Sequence, residues 1–215
     1  MFSKLFGNKK ETNKPIAPEI MGLYLGGSFQ LDDLRLRLLE PELMIEGAAR
    51  QQLIQAVGEA DLDSGGKLLR FYTDDEGFLQ VILDGGMSEN HITDVKLWYF
   101  YETLTVGSQA QWDECLKQTI SQPTYTIGGV TYERVWNAVG SESPPVAVSE
   151  KTYEEDGDTS VTDQFMMLYE RPIGDGKTES LLVVGEEKLV GNNFDRCLVI
   201  STGFDLGPSD ITING

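Results

Sequence analysis

From Ile16 onward the hydrophobic positions recur mostly at every second residue, the period of an extended chain whose side chains point alternately to two faces. "DLRLRLL" alternates Leu34, Leu36 and Leu38 with Arg35 and Arg37, which predicts a half-buried strand. "QQLIQAVGEADL" and "KLLRFYTDD" read as two more strands, joined by the turn residues Asp63, Ser64, Gly65 and Gly66. "GFLQVIL" returns from Asp75-Glu76-Gly77, so residues 69–83 form a hairpin. "DVKLWYFYETLTV" is a long aromatic strand, with Trp98 and Phe100 on one face and Tyr99 and Tyr101 on the other.

One segment changes period. In "GSQAQWDECLKQTISQP", Ser108 stands three residues before Gln111, as in a capping box. Trp112, Cys115, Leu116, Thr119 and Ile120 then recur at helical spacing, and Pro123 closes the run. This amphipathic helix is expected to lay its Trp112 face on a sheet. Extended chain resumes with two strands around Gly128-Gly129 and a hairpin turning near Asp156-Gly157-Asp158. Another strand follows the turn at Gly174-Asp175-Gly176, and "FDRCLVISTGF" comes last. The tail "DLGPSDITING" is rich in turn residues and is expected to carry little structure.

The two sides of the helix resemble each other at an offset of about a hundred residues. Gly26-Gly27 falls over Gly128-Gly129, "LRFYTDDEGFLQVIL" over "MLYERPIGDGKTESLLVV" with Tyr72 over Tyr169, and "DVKLWYFYETL" over "DRCLVISTGFDL". The fold class that follows is α+β, mainly antiparallel β, with two similar β-rich lobes joined by one amphipathic helix. The expected division is a basic flexible leader at 1–15, a first lobe at 16–106, the linking helix at 107–122 and a second lobe at 123–215. A groove between the lobes is the expected binding place.

Composition sharpens the functional side. Thirty-five acidic against seventeen basic residues give a formal net charge of -18, which repels phosphate backbones and argues against nucleic-acid binding. The same field suits cationic partners: basic proteins, polyamines or metal ions. Against it stands the leader, with Lys4, Lys9, Lys10 and Lys14 beside Phe2, Leu5 and Phe6, enough at most for a weak peripheral touch on an anionic membrane. Cys115 and Cys197 lie far apart without ligand-spaced neighbours, and both read as small buried hydrophobes. With no apolar run of signal-peptide or membrane-span length, the expected compartment is the reducing cytoplasm.

No motif carries chemistry. His91, the one histidine, sits in "SENHITD" and reads as a loop residue; one histidine with scattered carboxylates falls short of a zinc ligand set. "DLDSGG" and "EEDGDTS" lack the full calcium-loop pattern and read as turns. Phosphate loops, a nucleophile elbow and zinc-protease signatures are missing, so no catalytic residue, cofactor or metal is assigned. The remaining candidates are aromatic surfaces for binding. These are Trp98 and Phe100 on the aromatic strand, Tyr132 and Trp136 in "VTYERVW", and the hairpin tyrosines Tyr72 and Tyr169.

"GLYLGGSF", "YTIGGVTYERVW", "DQFMMLYER" and "ESLLVVGEEKL" resemble the YjfK-like family of uncharacterised bacterial proteins, over nearly the whole chain from about Pro18. That resemblance brings no catalytic residues. It implies a cytoplasmic accessory to a membrane-stress system, beside phage-shock-type coiled-coil proteins, small membrane proteins and a glutathionylspermidine-synthase-like ligase. The leading expectation is a non-enzymatic binding or adaptor protein with a protein partner, such as a membrane-associated coiled-coil protein. The alternative is a binder of a cationic amine or metal, or an enzyme, using the groove between the lobes.

Overall fold

Most of the alternating stretches become strands in the computed structural model, which describes residues 15–63, 65–136 and 143–214. The basic leader therefore lies, apart from Pro15, outside the described residues. The first half contains β1 (Ser28–Leu31), α1 (Asp33–Leu39), β2 (Gln51–Asp61), β3 (Lys67–Thr73), β4 (Gly77–Leu83) and β5 (Ile92–Thr105). Then come α2 (Gln109–Glu114), β6 (Thr124–Ile127), β7 (Val130–Arg134), β8 (Val146–Glu154), β9 (Thr159–Pro172), β10 (Thr178–Val190), β11 (Asn193–Asp205) and β12 (Ile211–Asn214).

Each half supplies four consecutive antiparallel strands, β2–β5 and β8–β11. The two expected hairpins are the second and third strands of these runs. The runs do not stand apart as lobes. β5 pairs with β11 along one seam and β2 with β8 along the other, so eight strands close into an antiparallel barrel. The expected groove between lobes is thus replaced by a barrel interior, since hydrogen bonds seal both edges where a groove would open. Closure also removes the exposed strand edges that two separate sheets would present.

Every barrel strand has an inner and an outer face; much of the outer face of β2–β5 and of β9–β11 is covered, while that of β8 is exposed at Ala147 and Ser149. Outside β2–β5, Leu69, Phe71, Leu79, Val81 and Leu97 pack with Leu23, Phe29, Leu36 and Leu39. Outside β9–β11, Met167, Tyr169, Leu181, Val183 and Ile200 pack with Cys115, Ile120 and Tyr132. Inside lies a third cluster, Phe78, Trp98, Met166, Leu182, Val184 and Val199. Burial of apolar area at ~25 cal/mol per Å² makes all three layers contribute to stability.

The helix after β5 forms as its pattern predicts. Ser108 Oγ accepts from the Gln111 amide, and Gln111 Oε1 reaches back to the Gly107 amide. α2 passes into a π-helical turn at Cys115–Thr119. Trp112 lies over Gly185, where an added Cβ would stand 3.0 Å from the indole, and meets Phe165 edge-on at 5.8 Å. Tyr169 Oη donates to the Ile120 and Gln122 carbonyls at the end of the segment.

Three sequence expectations are overturned. "DLRLRLL" is helix α1, because Asp32 caps the Arg35 amide, Asp33 pairs with Arg37 at 2.9 Å, and Leu36 and Leu39 form the buried stripe while Leu34 and Leu38 stay exposed. The helix joining the two halves is therefore accompanied by a second. The tail is also structured: β12 pairs with β1 from Ser28↔Asn214 to Leu31↔Ile211. Finally, Tyr72 and Tyr169 are not equivalent. Tyr72 faces into the barrel and Tyr169 out of it, a slip of one residue in a period of two.

Candidate functional site: the barrel interior

The inward residues of β3, β8, β9 and β10 change character along their length. Toward one mouth they read Leu68, Val148, Met166 and Leu182; toward the other, Arg70, Glu150, Gln164 and Glu186. Two cross-strand pairs mark the change of layer. Arg70 faces Gln80, with Nε donating at 3.2 Å, and Phe78 faces Trp98, the rings stacked at 6.2 Å between centroids.

The polar chamber encloses about 410 Å³. At its floor Arg70, 2 % exposed, donates from Nη1 to Glu150 Oε2 at 2.6 Å and to Gln164 Oε1 at 2.7 Å. Tyr72 Oη donates to the other Glu150 oxygen at 2.5 Å. The Arg70 guanidinium also stands 5.0 Å over the Phe78 ring, a cation–π contact. Glu150 is 1 % exposed, and Gly58 on the neighbouring strand makes its place: a Cβ there would lie 2.0 Å from Oε1. A buried pair of this kind holds its charges only because hydrogen bonds satisfy most of the remaining valences. Arg70 Nη2 is buried without an acceptor among the described residues.

Glu186 is the second carboxylate of the chamber. Gln164 Nε2 donates to it at 3.1 Å, and the Cys197 sulfur lies 3.8 Å from its other oxygen. Among the described residues no cation stands within 4.0 Å of it, because Arg70 is committed to Glu150. Burial pushes its pKa up, Arg70 pulls it back and the Glu150 charge raises it again. Burial, and then the charge of Glu186, pushes the Cys197 thiol up to about 12. Burial, reinforced by Glu150, holds the Tyr72 phenol well above its ordinary range, which keeps it a proton donor. Phe100, Thr103, Thr152, Ser160, Thr162 and Ser201 also line the chamber, together with the apolar Ala56, Leu182, Val184 and Val199, and Lys188 is exposed at the rim.

The six aromatic candidates separate. Tyr72 and Phe100 line the polar chamber, and Trp98 and Trp136 line the apolar one. Tyr132 and Tyr169 are fully buried outside the barrel, Tyr132 donating to Glu179 at 2.7 Å. Cys115 is buried as expected, whereas Cys197 faces the chamber and is half-buried. His91 sits in a 3₁₀ turn with Nδ1 2.7 Å from Ser88 Oγ. Among the described residues no three His, Cys, Asp or Glu gather to hold a metal ion, and no helix is long and apolar enough to cross a membrane.

Arg70, Glu150, Gln164 and Glu186 were missed by sequence reasoning. The signal for one of them was present: Arg70 stands alone in "LLRFY", between strongly apolar neighbours on both faces. For Glu150 and Glu186 no local signal exists, since each sits in a charged stretch that reads as solvent-facing.

Two comparisons with known proteins agree. The model of a family described as a protein of unknown function, DUF2491, matches residues 1–212. The uncharacterized protein YjfK of Escherichia coli strain K12 is 33% identical over 192 residues, covering 86% of this chain and 85% of that protein. No solved structure matches the chain. Over nearly its whole length, this chain belongs to the DUF2491 family of proteins of unknown function.

Proposed function

We propose that the protein is a non-enzymatic small-molecule binder whose polar chamber receives a cationic amine. The observation that carries this reading is Glu186, a carboxylate inside a closed barrel with no cation at salt-bridge distance among the described residues. Eight-stranded barrels have room for one small ligand, and a volume of about 410 Å³ falls within the range of small-molecule sites. Arg70 and Glu150 cancel, so Glu186 leaves the floor negative and favours a positive guest. Phe100 and Tyr72 add aromatic faces for an ammonium, and the hydroxyl ring accepts its protons. Titration calorimetry with n-butylammonium, 1-butanol and butyrate tests the reading. The amine is expected to bind at least about tenfold more tightly than either analogue, a difference of ~1.4 kcal/mol. Equal binding of all three, or unchanged amine binding in Glu186→Gln, rejects it.

A second reading, an adaptor with a protein partner, draws on a different observation. At the β10–β11 hairpin tip Leu189, Val190 and Phe194 are 63%, 57% and 56% exposed, and Leu189 and Phe194 are register partners. Exposed apolar side chains grouped in this way mark contact surfaces. We propose a membrane-associated coiled-coil partner and a cytoplasmic setting, the latter supported by two free cysteines. Purification of the tagged protein from its own cells tests this: a stoichiometric partner lost in Leu189→Ser/Phe194→Ser supports it, and an unaccompanied protein counts against it. Cell fractionation checks the compartment.

A further inference from the structure

The opposite mouth of the barrel holds a chamber of its own, of about 280 Å³. Its wall is mostly apolar, over Leu68, Ile82, Val148, Met166 and Leu168, with Gln80 and the Asp94–Lys96 pair also in the lining, and it shares Leu182 with the polar chamber. The Phe78–Trp98 stack and the Arg70–Gln80 pair lie between the two spaces. Trp98 lines this second chamber at 1% exposure, and its indole Nε1–H has no acceptor among the described residues. Trp136, 36% exposed, forms part of the same wall.

These observations point to a ligand of definite chemistry. A dry apolar cavity of about 150 Å³ already accepts a benzene-sized guest, so this one has room for a substituted ring or a branched alkyl group. Lys96 is already held by Asp94 and Asp205, so a charged guest would lose its hydration against a wall that is otherwise mostly Leu, Ile, Val and Met. An indole N–H left without a partner in such surroundings rewards one acceptor on the guest, since an unmet buried donor is costly. We infer that the apolar chamber is a second binding site, separate from the amine site, for a small uncharged aryl or branched-alkyl molecule that presents one hydrogen-bond acceptor to Trp98 Nε1–H. The inference does not depend on what the polar chamber binds.

A pair of isosteric probes tests it on the intact chain. Acetophenone and isopropylbenzene have nearly the same shape, but only the ketone offers an acceptor. Binding is followed through the indole N–H resonances of the three tryptophans, with Trp112→Phe and Trp136→Phe used for assignment. The Trp98 indole proton is expected to move downfield with acetophenone and not with isopropylbenzene, and the ketone to bind about tenfold more tightly. Val148→Phe fills the chamber and is expected to abolish binding of both. Should that variant fail to fold, Val146→Trp, at a lining position that is 41% exposed, blocks the same chamber. No binding of either probe by the wild type, or binding undiminished in the blocked variants, overturns the site. Equal affinity for the two probes overturns the role of the indole N–H.

Discussion

The two mouths of this barrel are built from the same strands, and along β8 and β9 they carry opposite chemistry. On β8 the inward residues run Val146, Val148, Glu150, Thr152; on β9 they run Leu168, Met166, Gln164, Thr162. One side-chain period separates an apolar wall from a buried ion pair. The strand scaffold is indifferent to this choice, because backbone hydrogen bonds hold the barrel together whichever side chains face inward. What differs is how each end tolerates change. An apolar wall loses stability in proportion to the volume removed, while a charged floor fails when one partner goes missing.

The largest contrast is expected between Glu150→Ala and Met166→Ala. Removing Glu150 strands the Arg70 charge in the interior and is expected to cost about 3–5 kcal/mol. Met166→Ala enlarges an existing cavity and is expected to cost about 2 kcal/mol, the lower end for such truncations. Urea denaturation measures both, and equal losses would erase the distinction between the mouths. The double replacement Arg70→Met/Glu150→Leu is expected to recover most of the loss of Glu150→Ala, since an apolar pair removes the stranded charge.

Gly58→Ala comes next. Its methyl group would enter the space of Glu150 Oε1, so a loss of about 1–3 kcal/mol is expected, with Glu150→Ala masking part of it in the double mutant. The two losses adding in full would show that Gly58 serves some purpose other than making room for the carboxylate.

A smaller effect comes from Glu186, and its sign can be worked out. Its folded pKa is raised above the ordinary 4.5, so the folded chain binds this proton more tightly than the unfolded chain does. The contribution of Glu186 to stability is therefore most favourable below 4.5 and declines as pH climbs through the raised value. Glu186→Gln is expected to flatten that part of the profile and to be more stable than wild type at pH 7. Denaturation midpoints from pH 4 to 8 give the answer, and parallel profiles for the two proteins would contradict it. The weakest effect concerns Cys197. With its thiol pushed up to about 12, it is expected to react with iodoacetamide at pH 8 far more slowly than a free thiol, and more slowly again with n-butylammonium bound. Rapid labelling would mean that the polar chamber is more open to water than its geometry indicates.

The strand order within each half was legible because turns announce themselves: Gly128 and Gly129, both at positive φ, and the turns near 156–158 and 174–176 stand where composition placed them. Closure was not legible. A period of two separates the faces of a strand but does not say which face a partner strand a hundred residues away will enclose. "LLRFY" shows this, for Arg70 shares a face with Leu68 and Tyr72, and nothing in the stretch says that this face looks into a chamber. "DLRLRLL" failed for a different reason: its leucines fit both a period of two and a helical stripe through Leu36 and Leu39, and the Asp32 cap decided the matter. The tail failed because its partner, the edge of β1, lies at the other end of the sequence. Parity put Tyr132 and Trp136 on one face of "VTYERVW", whereas Tyr132 lies outside the barrel and Trp136 lines a chamber, and the acids of the other chamber were hidden among the many others of an acidic chain.

The two sealing seams also set a timetable for the ribosome. β5 must wait for β11, and β2, whose end at 51–53 already pairs with β1, must wait for β8 along 56–59. During synthesis at about 5–20 residues per second, β2–β5 therefore spend several seconds with the β5 edge unpaired and the β2 edge only partly covered. Nascent chains halted before β8 should be the form most prone to sticking to one another, and the cell has reason to make this protein quickly or under the care of a chaperone.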